Sequence, residues 1–330
     1  MTGDEPLLAI ADLRCAIETP AGTVRALEGV DLTLRRGQVL GLVGESGSGK
    51  SMLVRSVMGM RPARSTLTGR IAIDGEDLLG MPPKAASRLR GRRVGMVFQD
   101  PMTALNPVVR VGRQITEVAR RTLGLNARQA RERAVELLTQ VGIPEPAERI
   151  GHYPHQFSGG MRQRITIAMA LACDPDLLIA DEATTALDVT VQRQILDLLQ
   201  GLQQERGMAM ILVSHDMGVV AGRADEVAVM YAGRIVEQAA TGDLFTGHRH
   251  RYTEALLDAV PRLDHPRHTR LRSIAGLPPD PTRANQGCPF APRCPSAADR
   301  CLAEEPALVE ERPGHRHACW VPVEIEEPVG

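Results

Sequence analysis

The first hundred residues carry the hydrophobic pattern of short strands separated by turns. Val30, Leu32 and Leu34 alternate with polar neighbours, which is the period-two pattern of a half-buried strand. Residues 39–43 form a short apolar run that stops at a glycine-rich turn, as a fully buried strand does. This part of the chain is therefore predicted to be rich in β-structure.

The pattern changes after residue 110, where apolar residues recur at helical spacing. Between 111 and 141 it predicts two helices, and Gly142 is placed to end the second of them. A further helix is predicted at 161–173, and buried strands at 177–180 and 210–213. Strands that alternate with helices in this way predict an α/β fold with a largely parallel sheet.

Composition changes after about residue 235. Twelve of the 23 prolines lie between Pro261 and Pro328, and a segment this rich in proline cannot continue a regular helix or sheet for long. We therefore predict a main domain at 1–235 and an extension of loops and short elements at 236–330.

Charge and composition exclude several classes of protein. A formal net charge of −1, from 39 Lys and Arg against 40 Asp and Glu, argues against a strongly basic nucleic-acid binder or a polybasic membrane anchor. Aromatic residues make up 2%, which argues against a base-stacking surface. No apolar run approaches the roughly 18 residues needed to span a bilayer, and the acidic N-terminus lacks a signal-peptide pattern. We expect the chain in the cytosol unless a partner holds it at a membrane.

The strongest chemical signal directly follows the apolar run at 39–43. Eight residues match the phosphate-binding pattern G-x-x-x-x-G-K-[ST] in full: Gly44, Glu45, Ser46, Gly47, Ser48, Gly49, Lys50 and Ser51. The glycines let backbone N–H groups curl around phosphate oxygens, and the following helix adds positive partial charge. Lys50 is one of only two lysines and is expected to contact phosphate, while Ser51 is expected to bind Mg²⁺. We call residues 44–51 the P-loop.

Two acidic residues end the predicted strand at 177–180. A carboxylate at the C-terminal edge of a parallel strand faces the ligand crevice, so Asp181 is expected to hold Mg²⁺ and Glu182 to polarise an attacking water. His215 follows the next predicted strand directly and is expected at the same edge of the sheet, in position to donate a hydrogen bond to the γ-phosphate.

Further motifs make this pattern resemble one family, the ABC-type ATPases. Residues 157–163, Phe-Ser-Gly-Gly-Met-Arg-Gln, resemble the family's signature motif and precede Asp181 by one predicted helix. Gln99 resembles the Q-loop glutamine, residues 186–188 the D-loop, and His215 the switch histidine. The motifs occur in the family's order and cover about residues 1–235.

A narrower resemblance is to the dipeptide, oligopeptide and nickel importer branch, specifically to the first of its two ATPase subunits. The segments that carry it are 100–107, 153–157, 229–234 and 288–295. It implies a P-loop ABC ATPase domain with a mixed sheet core, an antiparallel β subdomain and a helical subdomain at about 100–160. It also implies a Pro- and Cys-rich C-terminal extension of the type found in oligopeptide transporters.

The resemblance assigns roles to residues that spacing alone does not. It implies that two ATP molecules are sandwiched between two chains, with five residues acting across the dimer: Ser158, Gly159, Gly160, Met161 and Asp188. Gln99 is implied to contact Mg²⁺ and to sense the γ-phosphate. Ile17 stands where the family stacks adenine on an aromatic ring. Met102, Leu105 and Pro107 are candidates for contact with a membrane subunit, or for ordinary core packing.

The resemblance further implies an ATP hydrolase that powers peptide import by ATP-driven closing and opening of the dimer. Its expected partners are a second ATPase subunit, two transmembrane permease subunits and an external solute-binding protein, without nucleic acid. The expected location is the cytoplasmic face of the membrane, as a peripheral subunit. Two alternatives are the same role in a nickel or other small-solute importer and a soluble ABC ATPase that acts on DNA or ribosomes.

Four of the six cysteines lie near the C-terminus: Cys288, Cys294, Cys301 and Cys319. No C-x-x-C pair is present, so spacing alone leaves a metal site and free thiols equally open. For zinc, His315 and His317 are alternative ligands. The family resemblance implies a [4Fe-4S] cluster on the four cysteines.

Overall fold

The computed structural model describes residues 5–184, 188–260, 274–283 and 286–324. The chain divides into two units. Unit 1 is built mainly from Ile73–Val213, together with Leu34–Gln38. Unit 2 is built from Leu8–Thr33, Val39–Ala72 and the described residues from Ser214 onward.

Twelve strands lie in the described residues. They are β1 Leu8–Thr19, β2 Gly22–Leu34, β3 Val39–Val43, β4 Ser65–Ile73, β5 Glu76–Asp77, β6 Val94–Val97, β7 Leu177–Asp181, β8 Ala209–Ser214, β9 Glu226–Tyr231, β10 Arg234–Ala240, β11 Val309–Arg312 and β12 His315–His317.

Twelve α-helices lie in the same part of the chain. They are α1 Lys50–Val57, α2 Pro83–Arg93, α3 Pro101–Ala104, α4 Val111–Leu123, α5 Ala127–Gln140, α6 Pro146–Arg149, α7 Gly159–Ala170, α8 Val189–Arg206, α9 Met217–Val220, α10 Thr241–Gly247, α11 Arg251–Asp258 and α12 Asp299–Ala303. Short 3₁₀ turns occur at Pro154–Gln156 and Ala291–Arg293.

Unit 1 contains three parallel strands in the order β6-β7-β8. Every residue of β7 is buried, as expected for a parallel strand covered on both faces. Four helices, α3 to α6, form the predicted helical block. Local chemistry fixes their ends: Asn126 and Gln129 make a reciprocal capping box at the start of α5.

Unit 2 contains a mixed arrangement in the order β11-β12-β10-β9-β3. Strand β3 pairs in parallel with β9, whereas β9, β10, β12 and β11 pair with their neighbours in antiparallel fashion. A second group of strands has the order β2-β1-β4. Because only two residues connect β1 to β2, these two strands form an antiparallel hairpin. Unit 2 thus holds the P-loop strand and the C-terminal extension together.

The predicted α/β class with mixed and antiparallel sheet is confirmed, and most predicted elements occur with small shifts at their ends. The helix predicted at 161–173 begins at Gly159 and ends at Ala170, because Ser158 caps it earlier than the apolar pattern suggests. The domain boundary predicted at 235–236 lies inside β10 and stays a prediction.

Candidate functional site

The P-loop connects β3 to α1 in unit 2. Gly49 is the N-cap of α1 in the left-handed conformation, with φ of 108°, and Lys50 is the first residue of the helix. The Lys50 side chain is buried, and its Nζ donates to the carbonyl oxygens of Gly44 at 2.7 Å and Glu45 at 2.9 Å. The P-loop backbone therefore encloses the Lys50 ammonium group. A cation and the N-terminus of α1 lie next to each other as a result.

Gly44, the first residue of the P-loop, tolerates no side chain. Its φ is 150°, and a Cβ would collide with the carbonyl oxygen of Met230 at the end of β9. A second backbone contact holds the P-loop at Ser48, whose carbonyl accepts a hydrogen bond of 2.8 Å from the Gly233 N–H. The turn between β9 and β10 thus fixes the loop from behind.

Glu45, the second P-loop residue, is bound by side chains from the far end of the sequence. Its backbone N–H donates to the Tyr252 Oη at 2.7 Å. Its carboxylate accepts two hydrogen bonds from Arg293, at 2.6 Å and 3.0 Å. The C-terminal extension therefore contacts the P-loop directly, and sequence reasoning did not predict this contact.

Two further predicted residues lie in unit 2. His215 follows β8 and has an exposed side chain, and Asp216 beside it caps α9 by accepting from the Gly218 N–H at 2.7 Å. Ile17 is half-buried in β1 and offers an aliphatic surface where an aromatic ring is expected from the family resemblance.

Unit 1 brings Gln99 and Glu182 together at the carboxyl ends of the adjacent parallel strands β6 and β7. The Gln99 amide donates from Nε2 to Glu182 Oε2 at 3.0 Å. Glu182 has φ of 47°, a strained conformation for a non-glycine residue of the kind that clusters at functional sites. Asp181 is the last residue of β7 and is 1% exposed. We call Gln99, Asp181 and Glu182 the acidic edge.

The signature motif lies at the start of α7 in unit 1. Ser158 is the N-cap, and its hydroxyl accepts from the Met161 N–H at 3.3 Å, which leaves the first N–H groups of the helix at its open end. A Cβ on Gly160 would come within 2.9 Å of the Val191 Cγ1 in the first turn of α8, so a larger residue would force the Val191 side chain to move. Gly159 is the first helical residue.

Asp188 caps the next helix, α8, by accepting from the Val191 N–H at 2.9 Å. The rest of the predicted D-loop, Ala186 and Leu187, lies outside the described residues. Val191 thus links the two motifs within unit 1: its N–H donates to Asp188, and its Cγ1 packs against Gly160.

Two family patterns match the chain. The ABC transporter pattern matches residues 27–185, and the C-terminal region of oligopeptide and dipeptide transporters matches residues 236–301. The oligopeptide transport ATP-binding protein OppD of Salmonella typhimurium is 48% identical over 318 residues, which cover 96% of this chain and 94% of that protein. This chain belongs to the ABC transporter ATP-binding subunits of the oligopeptide and dipeptide branch.

Other ATP-binding proteins of the branch show similar sequence identity, although some of them are much longer than this chain. The dipeptide transport ATP-binding protein DppD of Bacillus subtilis is 46% identical and is covered to 95%. OppD of Mycobacterium tuberculosis is 49% identical, but the chain spans about half of its length, 52%.

Solved cassette structures confirm the fold. The ATP-binding cassette MJ0796, in a dimeric post-hydrolysis state bound to ADP and Pi, superposes with a TM-score of 0.63 at 25% identity. The match covers 71% of this chain and 98% of that one. CbiO1 of Clostridium perfringens gives a TM-score of 0.63 at 30% identity and covers 74% of this chain and 92% of its own.

The four cysteines of the extension occur in unit 2 as free thiols. Burial raises the pKa of the Cys288 thiol to about 11, with added repulsion from Cys319 and Cys301. Burial likewise raises the pKa of Cys294. The thiols thus lie near enough to influence one another. Nevertheless, no group of three or more His, Cys, Asp or Glu side chains in the described residues is arranged to hold a metal ion.

A buried cluster of histidines and Glu237 lies in the same extension. Glu237 is fully buried and accepts from His315 Nε2 at 2.8 Å and from the His250 N–H at 3.0 Å. Burial acts to raise the pKa of Glu237, but the hydrogen bonds from His315 and its other donors outweigh it and lower the pKa. Burial lowers the pKa of His250 to about 4. His315 Nε2 is therefore already hydrogen-bonded to Glu237, which does not favour the zinc alternative.

The residues considered for contact with a membrane subunit divide into two kinds. Leu105 is 3% exposed and packs in the core, whereas Met102 is 59% exposed and Pro107 is also exposed. Core packing therefore accounts for Leu105, and only Met102 and Pro107 present surface to a partner. No helix in the described part of the chain is long and apolar enough to cross a bilayer.

Proposed function

We propose that this chain binds and hydrolyses ATP and so powers the import of peptides across a membrane. The observation that carries the proposal is a P-loop with a buried lysine in a chain whose Glu182 is oriented by Gln99. The names of the relatives, oligopeptide and dipeptide transport ATP-binding proteins, support peptides as the cargo.

Each P-loop residue has a role in holding the triphosphate. Lys50 exchanges its hydrogen bonds with the loop carbonyls for bonds to phosphate oxygens. Backbone N–H groups of the P-loop surround the phosphates, apart from that of Glu45, which donates to Tyr252. The Ile17 side chain packs against the adenine as an apolar surface. The Ser51 hydroxyl and the Asp181 carboxylate supply oxygen ligands of the type that Mg²⁺ prefers, and Gln99 adds an amide oxygen. When bound, Mg²⁺ neutralises charge on the phosphates.

Glu182 is the general base or water-orienting residue. Its carboxylate accepts a hydrogen bond from Gln99, which restricts its rotation and aims its second oxygen. His215 donates to the γ-phosphate and fixes its direction relative to the water.

The signature residues act on the ATP of a second ATPase subunit. The open N-terminus of α7 presents N–H groups and positive partial charge, which suits a γ-phosphate. Ser158, Gly159, Gly160 and Met161 supply this surface, and Asp188 lies beside it at the start of α8. ATP then closes a dimer of two ATPase subunits, and hydrolysis opens it. The proposed partner is a related chain, and a second copy of this chain is the alternative.

The remaining partners follow from transport itself. Two transmembrane permease subunits form the pathway, and an external solute-binding protein delivers the peptide. The chain is a peripheral subunit at the cytoplasmic face, where the exposed Met102 and Pro107 contact a permease loop.

An iron–sulfur cluster on the four C-terminal cysteines is a separate part of the proposal. Its support is the family resemblance and the mutual influence of the thiols, and binding would require the thiols to rearrange. Iron and acid-labile sulfide in anaerobically purified protein test it. About four irons per chain, lost in Cys301→Ser, would support a [4Fe-4S] cluster, whereas iron-free wild-type protein would contradict it.

The test of the transporter role is affinity purification of the Glu182→Gln chain from its native cell with ATP, followed by mass spectrometry. Two multi-span membrane proteins and a second ATPase are the expected partners. Ribosomal or DNA-repair proteins without a membrane subunit would contradict the transport role. The control is Lys50→Ala, which is expected to lose the second ATPase because it cannot retain ATP.

A further inference from the structure

Glu45 is contacted both from within the P-loop and from the C-terminal extension, and these partners lie within unit 2. Its carbonyl accepts from Lys50 Nζ, its N–H donates to Tyr252, and its carboxylate binds Arg293 in a two-point ion pair. Backbone and side chain are thus fixed independently. Because both its N–H and its carbonyl are hydrogen-bonded, Glu45 fixes the backbone of the P-loop before and after itself.

Arg293 is a buried cation whose own position is also fixed. Its side chain is 3% exposed. Its Nε donates to the carbonyl of Ala275 at 2.9 Å and its Nη1 reaches the Tyr231 hydroxyl at 3.3 Å. The guanidinium lies 6.0 Å from the centre of the Phe290 ring. A guanidinium with this many donors in use is preorganised, so little entropy is lost when it holds Glu45.

The ion pair matters because of where the carboxylate lies. The P-loop binds polyphosphate, and an unpaired carboxylate on its second residue would repel the ligand that the loop is built to hold. The Glu45 side chain is 29% exposed, so water alone would screen it incompletely. Arg293 supplies a full compensating charge in bidentate geometry, which neutralises the carboxylate through side-chain atoms alone.

We propose that Arg293 is a positioning residue for nucleotide binding, which sets the ATP affinity of the P-loop by neutralising and fixing Glu45. The inference rests on the proposed function and extends it. The C-terminal extension, through the turn between Cys288 and Cys294 that carries Arg293, takes part in ATP binding without contacting ATP.

The test is a double-mutant cycle in the full-length protein, with the dissociation constant of a fluorescent ATP analogue and Mg²⁺ as the readout. Arg293→Met leaves the Glu45 charge unpaired and is expected to weaken binding about tenfold, equivalent to about 1.4 kcal/mol. Glu45→Gln removes the repelling carboxylate and the ion pair together, and its dissociation constant is the reference with which the double variant is compared. The double variant is expected to recover most of the tenfold loss, because no unpaired charge remains.

A merely structural role for Arg293 predicts a different pattern. The double variant would then bind as weakly as Arg293→Met or more weakly, and that result would overturn the proposal. Arg293→Lys keeps the charge without the two-point geometry and should fall between wild type and Arg293→Met. In the assembled ATPase, the KM for ATP should rise while kcat changes little.

Two controls separate failure of this inference from failure of the proposed function. Wild-type protein that binds no ATP analogue would contradict the function itself, whereas equal binding by wild type and Arg293→Met would contradict only the role of Arg293. Melting temperature and iron content are matched across variants, since Arg293 adjoins Cys294. If Arg293→Met does not fold, Arg293→Gln removes the same charge but keeps a polar side chain. Recovery of ATP-analogue affinity when Glu45→Gln is added to Arg293→Gln then decides the outcome.

Discussion

The P-loop in unit 2 and the acidic edge in unit 1 are held by different kinds of contact. The P-loop is fixed by residues remote in sequence, with Tyr252 and Arg293 lying 207 and 248 positions beyond Glu45. The acidic edge lies at the carboxyl ends of the paired strands β6 and β7, and a side-chain hydrogen bond joins Gln99 to Glu182.

The difference shows that a phosphate cradle and a catalytic carboxylate need different support. A cradle works through many backbone N–H groups, so its whole shape must be fixed from outside. A carboxylate needs only its position and one orienting partner, and adjacent parallel strands supply both. Substitutions should therefore disturb binding through remote residues in unit 2, and catalysis through local residues in unit 1.

The largest expected effect separates chemistry from binding. Glu182→Gln keeps the size of the side chain but removes the basic carboxylate, so kcat for ATP should fall by about 10²- to 10⁴-fold. ATP affinity should remain within a few-fold of wild type, because the P-loop is untouched. Steady-state hydrolysis and binding of the same preparations measure both. Glu205→Gln, on the exposed face of α8, is the matched control, and an equal loss there would contradict the assignment.

The next effect concerns the stability of the extension in unit 2. The folded protein keeps His250 neutral until about pH 4, whereas the unfolded chain takes up this proton below its ordinary pKa of 6.5. The free energy of unfolding should therefore fall as pH decreases between these values, by about 3 kcal/mol in total. Protonation of Glu237, whose pKa is lowered, adds to the loss at still lower pH.

Urea unfolding at pH 7.5 and 5.0 measures this dependence. His250→Asn keeps an acceptor for the Tyr252 N–H without a titrating ring, so its stability should change less with pH. Equal pH dependence in the two proteins would contradict the assignment to His250.

A smaller effect tests the shape of the P-loop. Both glycines have a positive φ, so alanine is strained at either position. Gly44→Ala adds a collision with the Met230 carbonyl oxygen, whereas a Cβ on Gly47 has nothing within 4 Å. Gly44→Ala should therefore cost about 1–3 kcal/mol more in ATP binding than Gly47→Ala. Calorimetric titration with ATP compares them, and equal affinities would show that the collision does not restrict the loop.

The smallest expected effect is at the signature motif. Ser158→Ala removes the cap of α7 and should lower stability by about 1 kcal/mol, while Ser158→Asn should retain most of it. Thermal unfolding measures the difference. A Ser158→Asn variant as unstable as Ser158→Ala would mean that the cap does not stabilise α7.

The predictable parts of the site were those fixed by local sequence or strand order. The strand, glycines and lysine of the P-loop occur at the expected positions, and the strand predicted at 177–180 leads directly into Asp181 and Glu182. Ser158 has a residue type that favours N-caps, and it caps α7. The hydrogen bond between Gln99 and Glu182 was not predicted, because no strand was predicted before Gln99.

The contacts of Arg293 with Glu45, and of His315 with Glu237, could not be predicted. The contact of His315 with Glu237 depends on the pairing of β12 with β10, and the contact of Arg293 with Glu45 depends on the path of the extension. The spacing of apolar residues along the chain carries no information on either feature. The one usable signal for Arg293 was its place between two cysteines in a proline-rich turn, which fixes its backbone but not its partner. The roles of the individual site residues stay predictions.

The most direct test of the central claim is ATP-driven uptake of a radiolabelled oligopeptide into proteoliposomes. They contain the chain assembled with the membrane and ATPase subunits that copurify with it, and the solute-binding protein is added outside. The peptide is expected to accumulate with wild type and ATP inside the vesicles, and not with Glu182→Gln. Uptake by the Glu182→Gln complex at the wild-type rate, or hydrolysis by wild type without peptide accumulation, would contradict ATP-driven peptide import by this chain.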